Sequence, residues 1–171
     1  MVRDEARDPG ARPLTGSGGQ VVVQVGDLAP DFTLNDTHGT PVSLSELRGT
    51  PVVVVFVPFA FSGTCTGELC ELRDNITVFD EAGVRLLVIS CDSMFALRAW
   101  AEQEHYAFDL LADFWPHGAV AREYGVFAED SGLAVRGSFL IDAGGVVRWS
   151  VVNPRSQARD LSGYLEALAS L

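Results

Sequence analysis

The sequence predicts an α/β fold in which a central mixed β-sheet is flanked by helices and preceded by a β extension. First, the run PVVVVFV at 51–57 is short, apolar and β-branched with a leading proline, which is typical of a strand buried on both faces. Second, the period then changes, and apolar side chains form one helical stripe about 60° wide. That stripe consists of Cys65, Leu69, Leu72, Ile76 and Phe79. Third, Gly83 ends this helix before a second apolar run at 84–90, and strand, helix and strand with this spacing predict a parallel, right-handed crossover.

The segments before this unit form the predicted β extension. VVVQV at 21–25 reads as a first strand. Residues 31–34 and 42–44 read as a hairpin around the turn residues 35–39. A short helical turn at 45–48 then leads into the buried strand.

The segments after it continue the alternation of helices and strands. The predicted elements are a helix at 93–103, a strand at 109–112, a helix at 117–124 that starts at His117, a hairpin of strands at 137–141 and 146–152, and a final helix with Leu161, Tyr164, Leu165 and Leu168 on one face.

Length and composition predict one domain with a polar tail. Residues 1–20 are rich in Arg, Asp, Gly and Pro and lack a signal-peptide core, so we expect a disordered extension followed by a single domain at 21–171. The net charge of −11 argues against nucleic acid as a partner, and no apolar run approaches the roughly 18 residues that span a membrane. Three cysteines are too few for a secreted disulfide framework, which favours a cytoplasmic location.

The stretch PFAFSGTCTGELC at 58–70 delivers Cys65 into the first turn of the predicted helix. The first N–H groups of a helix are unpaired, and the helix end carries about half a positive charge. A thiolate is stabilised there, and the thiolate is the reactive form of cysteine. Free cysteines are more often small buried hydrophobic residues, but the context of strand, proline loop and helix argues for a reactive Cys65.

Pro58, Ser62 and Cys65, with three and two residues between them, resemble the active-site signature of peroxiredoxins. The segment GDLAPDFTL at 26–34 is similar to the usual opening of that family. The likeness extends from roughly Val25 to the C-terminus and is greatest to the alkyl hydroperoxide reductase E group. It implies a thioredoxin-like fold and thiol-dependent reduction of hydrogen peroxide and organic hydroperoxides.

The resemblance implies a role for each matching residue. Cys65 would be the peroxidatic nucleophile, the Ser62 hydroxyl and the Cys65 N–H would hold the peroxide, and Pro58 would shield the thiolate from water. Arg136, in an R-G-[ST]-F pattern, would hydrogen-bond thiolate and peroxide, and Glu68 would orient Arg136. Taken alone, Ser62 also fits a helix N-cap, Glu68 a first-turn acid and Arg136 a solvated strand end.

The five-residue spacing from Cys65 to Cys70 resembles the resolving cysteine of peroxiredoxin Q proteins, whereas the alkyl hydroperoxide reductase E group usually relies on an external thiol. In an intact helix this spacing separates the Cα atoms by about 8.6 Å, and a disulfide needs less than about 7 Å. The helix must therefore unwind first, which Gly67 facilitates. A packing role for Cys70, which lies off the core stripe, and resolution by Cys91 remain open.

The resemblance further implies a peroxide substrate, a homodimer, and thioredoxin, a glutaredoxin-like protein or a low-molecular-weight thiol as reductant. No cofactor is expected, and His38, His105 and His117 show no metal-ligand spacing with the cysteines. One alternative is a thiol–disulfide oxidoreductase, although that chemistry normally uses C-x-x-C and four residues separate Cys65 from Cys70. The other is a redox sensor that uses the same cysteine switch.

Overall fold

The computed structural model describes residues 20–171. Of the extension predicted for residues 1–20, all but Gln20 lies outside the described residues. Among the helices of residues 20–171, none combines the length and the hydropathy needed to cross a lipid bilayer.

A seven-stranded mixed sheet forms the centre of the domain. The described residues form nine strands in all, seven of which belong to this sheet. They are β1 Thr33–Asp36, β2 Pro41–Ser43, β3 Val52–Phe56, β4 Arg85–Ser90, β5 Asp109–Ala112, β6 Phe127–Ala128, β7 Leu133–Ala134, β8 Arg136–Ile141 and β9 Val147–Asn153. Across the sheet they lie in the order β2-β1-β5-β4-β3-β8-β9, while β6 and β7 form a separate ribbon. β3, β4 and β5 are parallel, and the strands on either side are antiparallel to them. The predicted α/β fold with a mixed sheet is thus confirmed.

Helices cover both faces of this sheet. They are α1 Gly63–Asp74, α2 Ile76–Glu81, α3 Met94–Glu104, α4 Ala119–Glu123 and α5 Leu161–Ala169, with a short 3-10 helix at Ser45–Leu47. Helices α1, α2, α3 and α5 bury their apolar residues against one face, and α4 with the N-terminal segment packs on the other. All of β3 is buried because its side chains alternate between these two cores, as the sequence predicts.

The helix predicted to run as far as Gly83 is divided at Asn75, so that prediction is wrong in its length. The backbone of Asn75 leaves the helical region (φ −113°, ψ 16°), and its side-chain amide donates to the Glu71 carbonyl at 2.9 Å. The backbone N–H of Asn75 also donates to the Glu71 carbonyl, at 3.2 Å, so the side chain adds a second bond to the last turn of α1. The apolar stripe nevertheless continues, since Leu72 on α1 and Phe79 on α2 share one core.

The strand predicted at 21–25 does not form, although Val22 and Val23 are buried. The N–H of Val23 donates to the carbonyl of Tyr124 at 3.3 Å, so the segment pairs with the end of α4, and its β-type pairing is confined to an isolated bridge at Val21. Gly125 permits this close approach, because a Cβ there would lie 2.4 Å from the carbonyl oxygen of Val21. Val22 and Val23 of this apolar run are therefore buried in the core without forming a strand of the sheet.

His117 does not begin a helix. Helix α4 starts at Ala119 after Gly118, which has a positive φ of 69°. The His117 ring nitrogen Nε2 hydrogen-bonds the Gly132 carbonyl at 2.6 Å, which ties it to the turn between β6 and β7. It is therefore a loop residue with a structural partner.

Candidate active site

The loop between β3 and α1 is held in place at two points. The N–H of Val57 donates to the Ile89 carbonyl at 2.9 Å, which continues the β3–β4 pairing. The N–H of Ala60 donates at 2.9 Å to the carboxylate of Asp92, which also accepts from the Ser90 hydroxyl at 2.7 Å. Phe61 then takes a positive φ of 65°, which turns the chain into the helix. The end of β4 thus fixes the approach to α1.

Cys65 lies in the first turn of α1 and is fully buried. The Ser62 side chain caps the helix, because its Oγ accepts from the N–H of Cys65 at 3.3 Å. Nη1 of Arg136 lies 3.4 Å from the Cys65 sulfur. The sulfur therefore has both a helix N-terminus and a guanidinium beside it, and both of these carry positive charge.

Arg136 and Glu68, the pair that the resemblance implies, are in direct contact. The carboxylate of Glu68 accepts from Nη1 of Arg136 at 2.5 Å. Nε of the same guanidinium donates to the backbone carbonyl of Arg155 at 2.7 Å. Cys65, Glu68 and Arg136 are each more than nine-tenths buried. Their contacts therefore form in the protein interior, where the low dielectric constant makes charge interactions strong.

Arg159 is a second buried cation, and sequence reasoning missed it. Its backbone N–H and its Nε donate to one Glu68 oxygen at 2.6 and 3.1 Å, and its Nη2 donates to the other at 2.9 Å. Its Nη1 also donates to the carbonyls of Phe56 and Gly137 at 2.8 and 2.9 Å, which joins the ends of β3 and β8. The signal available was Glu68 itself, because a buried carboxylate has about four acceptor positions and one arginine does not fill them.

These contacts perturb the ionisation of Glu68. Burial alone would raise the pKa of this carboxyl group, but the hydrogen bonds and charge of Arg159, with the charge of Arg136, outweigh it and lower the pKa. Glu68 therefore remains an anion at neutral pH, and it partly compensates the two guanidinium groups.

An open cleft of about 600 Å³ leads to this site. It brings together Pro58, Ser62 and Arg136 as the sequence predicts. The residues that sequence reasoning did not assign to it are Phe59, Thr64, Pro154, Arg155 and Ser156. Those from 154–156 come from the loop after β9, far from the motif in sequence, so no local pattern marks them.

Cys70 lies in the same intact helix as Cys65, and both thiols are free. Its sulfur is 3.7 Å from a carboxylate oxygen of Glu104 and 4.0 Å from the Tyr106 hydroxyl. Cys70 is half-buried and packs against the core formed by the helices of this face. Although Cys70 lies off the core stripe, it has packing contacts, because the residues of α3 and its C-terminal end provide a second surface for α1 beside the sheet.

Cys91 is separated from this arrangement by the sheet. It packs in the core on the α4 face, whereas Cys65 packs on the α1 face. Burial, together with the charge of Asp113, raises the pKa of the Cys91 thiol to about 12. This environment argues against Cys91 as a resolving residue. Within residues 20–171, no cluster of three or more His, Cys, Asp or Glu side chains is arranged to hold a metal ion.

Comparison with known proteins gives a consistent result. The AhpC/TSA family model matches residues 25–150. Alkyl hydroperoxide reductase E of Mycobacterium tuberculosis is 42% identical over 151 residues, which cover 88% of this chain and 99% of that protein. Chloroplastic peroxiredoxin Q of Sedum lineare is 36% identical over 150 residues, covering 87% of this chain and 80% of that protein.

The fold has close counterparts among solved structures. The crystal structure of peroxidoxin BcpB from Mycobacterium tuberculosis superposes with a TM-score of 0.74 at 33% identity, covering 85% of this chain and 94% of that one. This similarity confirms the thioredoxin-like fold that the sequence predicts.

Proposed function

Because the chain belongs to the AhpC/TSA family and is a peroxiredoxin enzyme, we propose that Cys65 is the residue with which it reduces hydrogen peroxide and organic hydroperoxides. The observation that carries this proposal is the 3.4 Å contact between Arg136 Nη1 and the sulfur of Cys65, at a capped helix N-terminus beneath an open cleft. A thiolate and a fixed donor for a developing oxyanion are the two requirements of this chemistry.

The first step follows from the positions of the donors. The Cys65 thiolate attacks one peroxide oxygen, the O–O bond breaks, and the leaving oxygen takes a proton, which gives a Cys65 sulfenic acid and water or an alcohol. Arg136 and the Ser62 hydroxyl stabilise the charge that grows on the leaving oxygen. Peroxide would displace the bond from the Cys65 N–H to Ser62 Oγ, which is 3.3 Å long. Pro58 lines the cleft, where it would shield the thiolate from water.

The second step assigns resolution to Cys70. Its thiol attacks the sulfenic sulfur, a disulfide forms between Cys65 and Cys70, and water leaves. Both residues lie within α1, so at about 8.6 Å between Cα atoms the helix has to unwind before the sulfur atoms can meet. An external reductant then regenerates the two thiols. Thioredoxin, a glutaredoxin-like protein and a low-molecular-weight thiol stay predictions for that reductant, as does the homodimer.

Intact-mass analysis after one equivalent of hydrogen peroxide tests both steps. We expect the wild type to lose two hydrogens, Cys70→Ser to gain one oxygen, and Cys65→Ser to remain unchanged. A Cys65→Ser protein that consumes peroxide as fast as wild type would refute the mechanism. A Cys70→Ser protein that turns over as fast as wild type with the same thiol reductant would refute only the role of Cys70.

A further inference from the structure

Helix α1 uses a second face that the catalytic residues do not occupy. Thr66, Cys70 and Arg73 recur at spacings of four and three, so they form one stripe on α1. Each of them contacts α3 or its C-terminal end. Thr66 Oγ1 accepts from the indole N–H of Trp100 at 3.2 Å, Cys70 contacts Glu104, and Arg73 Nη1 donates to the Glu104 backbone carbonyl at 2.6 Å.

Tyr106, whose hydroxyl Cys70 contacts, lies just past the end of α3 and is held in place by its neighbours. Tyr106 is nine-tenths buried, its ring stacks on Phe108 at a centroid distance of 5.0 Å, and it meets the Trp100 ring edge-on at 5.3 Å. Burial raises the pKa of Tyr106, so its hydroxyl keeps its proton. Tyr106 therefore offers Cys70 a fixed polar group that does not depend on its own ionisation.

The Cys70 thiol is the donor in its contact with α3. Its S–H donates to the Glu104 carboxylate 3.7 Å away. The guanidinium of Arg73 does not face the sulfur alone, because its Nε is paired with the carboxylate of Asp74 at 2.9 Å. Cys70 is thus held by a hydrogen bond that has to break before its sulfur can reach Cys65.

We propose that Glu104 and Tyr106, with Arg73, are positioning residues that form a latch, here called the α3 latch, which holds α1 wound and keeps Cys70 away from Cys65. This inference rests on the proposed function in assigning resolution to Cys70. Release of the latch is the event that lets α1 unwind and frees Cys70 to reach Cys65.

The α3 latch sets how long the Cys65 sulfenic acid persists. While the latch is closed, a second hydroperoxide can oxidise the sulfenic acid to a sulfinic acid and leave as water or an alcohol. When the latch is open, Cys70 captures the sulfenic acid and water leaves. A weaker latch therefore speeds disulfide formation and protects Cys65 from overoxidation by the same factor.

Glu104→Ala tests the latch, with Glu102→Ala as the matched control. Glu102 is an exposed acidic residue on the same helix that makes no contact with Cys70, so both variants change helix propensity and charge alike. Stopped-flow tryptophan fluorescence separates the oxidation phase, which depends on peroxide concentration, from the resolution phase, which does not. Loss of one hydrogen bond should speed resolution about five-fold in Glu104→Ala, and Tyr106→Phe should speed it about two-fold.

The accompanying readouts exclude a general loss of structure. The oxidation rate constant should stay within about two-fold of wild type, and the peroxide concentration that half-overoxidises Cys65 should rise by the same factor as the resolution rate. Equal resolution rates in Glu104→Ala and Glu102→Ala would overturn the proposal. So would a rise in resolution rate without the matching rise in resistance to overoxidation.

Hydrogen exchange separates failure of the latch from failure of the proposed function. In the reduced proteins, amides of residues 66–72 should exchange about five-fold faster in Glu104→Ala than in Glu102→Ala, whichever thiol resolves Cys65. Equal exchange would overturn the latch. Absence of the Cys65–Cys70 disulfide from every variant would instead refute Cys70 as the resolving residue, and with it the control of resolution by the latch.

Discussion

Arg136→Met and Arg159→Met should separate chemistry from stability at the buried charge cluster. Both arginines pair with Glu68, but only Arg136 contacts the Cys65 sulfur, at 3.4 Å. Methionine keeps the apolar stem of each side chain and removes the guanidinium. Each variant therefore removes one of the two cations that pair with Glu68. Arg136→Met also removes the contact with the Cys65 sulfur, whereas Arg159→Met leaves that contact in place.

For Arg136→Met we expect the peroxide reaction to slow by about 10²–10³-fold, the usual loss when one preorganised donor to a developing oxyanion is removed. The loss of stability in Arg136→Met should be smaller than the loss in Arg159→Met. Glu68 keeps its three hydrogen bonds from Arg159, and the other acceptors that lose a donor are the Arg155 carbonyl and the Cys65 sulfur.

Arg159→Met should reverse this order. It leaves the Phe56 and Gly137 carbonyls without this donor and removes two side-chain bonds from Glu68. Breaking a buried ion pair costs about 3–5 kcal/mol. At about 2–4 °C per kcal/mol for a domain of this size, the Tm should fall by roughly 6–20 °C. The rate of peroxide reaction should fall by less than about ten-fold, because Arg136 and Glu68 still pair.

The assays are stopped-flow oxidation with hydrogen peroxide at 15 °C, after circular dichroism at that temperature has established that both variants are folded, and thermal unfolding followed by circular dichroism. The separate roles of the two arginines would be refuted if the peroxide reaction of Arg159→Met slowed as much as that of Arg136→Met while the protein remained folded. They would also be refuted if Arg136→Met retained wild-type reactivity, since the 3.4 Å contact to sulfur would then have no role in the reaction.

Three further predictions follow from other contacts. Ser62→Ala should lose about 1 kcal/mol of stability with the helix cap and react with peroxide at least about ten-fold more slowly, whereas Ser62→Thr should stay close to wild type in stopped-flow and denaturation assays. The lowered pKa of Glu68 means that its stabilisation is fully present above about pH 4.5 and is lost as the pH falls through its folded value. The stability difference between wild type and Glu68→Gln in urea should therefore be constant from pH 7 to 5 and shrink towards pH 3, and a constant difference throughout would contradict this. Cys91, whose pKa is about 12, should resist iodoacetamide at pH 8 in the folded protein, and rapid labelling detected by mass would refute its inertness.

The strands were predictable where burial and sheet pairing coincide. The predicted strand at 109–112 is β5, and the apolar runs on either side of α1 are β3 and β4 within a residue or two. The run at 21–25 has the same apolar character but pairs with the end of α4. The apolar composition of a segment predicts that it is buried. It does not predict which other segment provides the partners for its backbone hydrogen bonds. Asn75 illustrates a local effect, because its backbone leaves the helical region and interrupts a helix that the apolar stripe alone would continue.

The site was predictable to the extent that it lies in one segment. Pro58, Ser62, Cys65 and Glu68 lie within eleven positions of one loop and helix, so their spacing alone brings them together. Arg159 and the cleft residues at 154–156 reach the same place through the turn after β9, and their sequence is that of an ordinary polar loop. The contact of Cys70 with Glu104 was likewise beyond reach, because it depends on how α1 and α3 pack.

The charges at the site give a physical reason why oxidation should start the unwinding of α1. With Cys65 as thiolate, two guanidinium groups face two anions, Glu68 and the sulfur. In the proposed cycle the sulfenic acid is neutral, so one positive charge is left uncompensated beside a helix end that is itself positive. An anion at a helix N-terminus contributes about 0.3–1 kcal/mol, and up to about 2 kcal/mol when partly buried. Its loss would change the population of the unwound form by roughly two- to thirty-fold. That range brackets the about five-fold effect expected for the α3 latch, so oxidation at one face of α1 is large enough to offset the contact that holds Cys70 on the other.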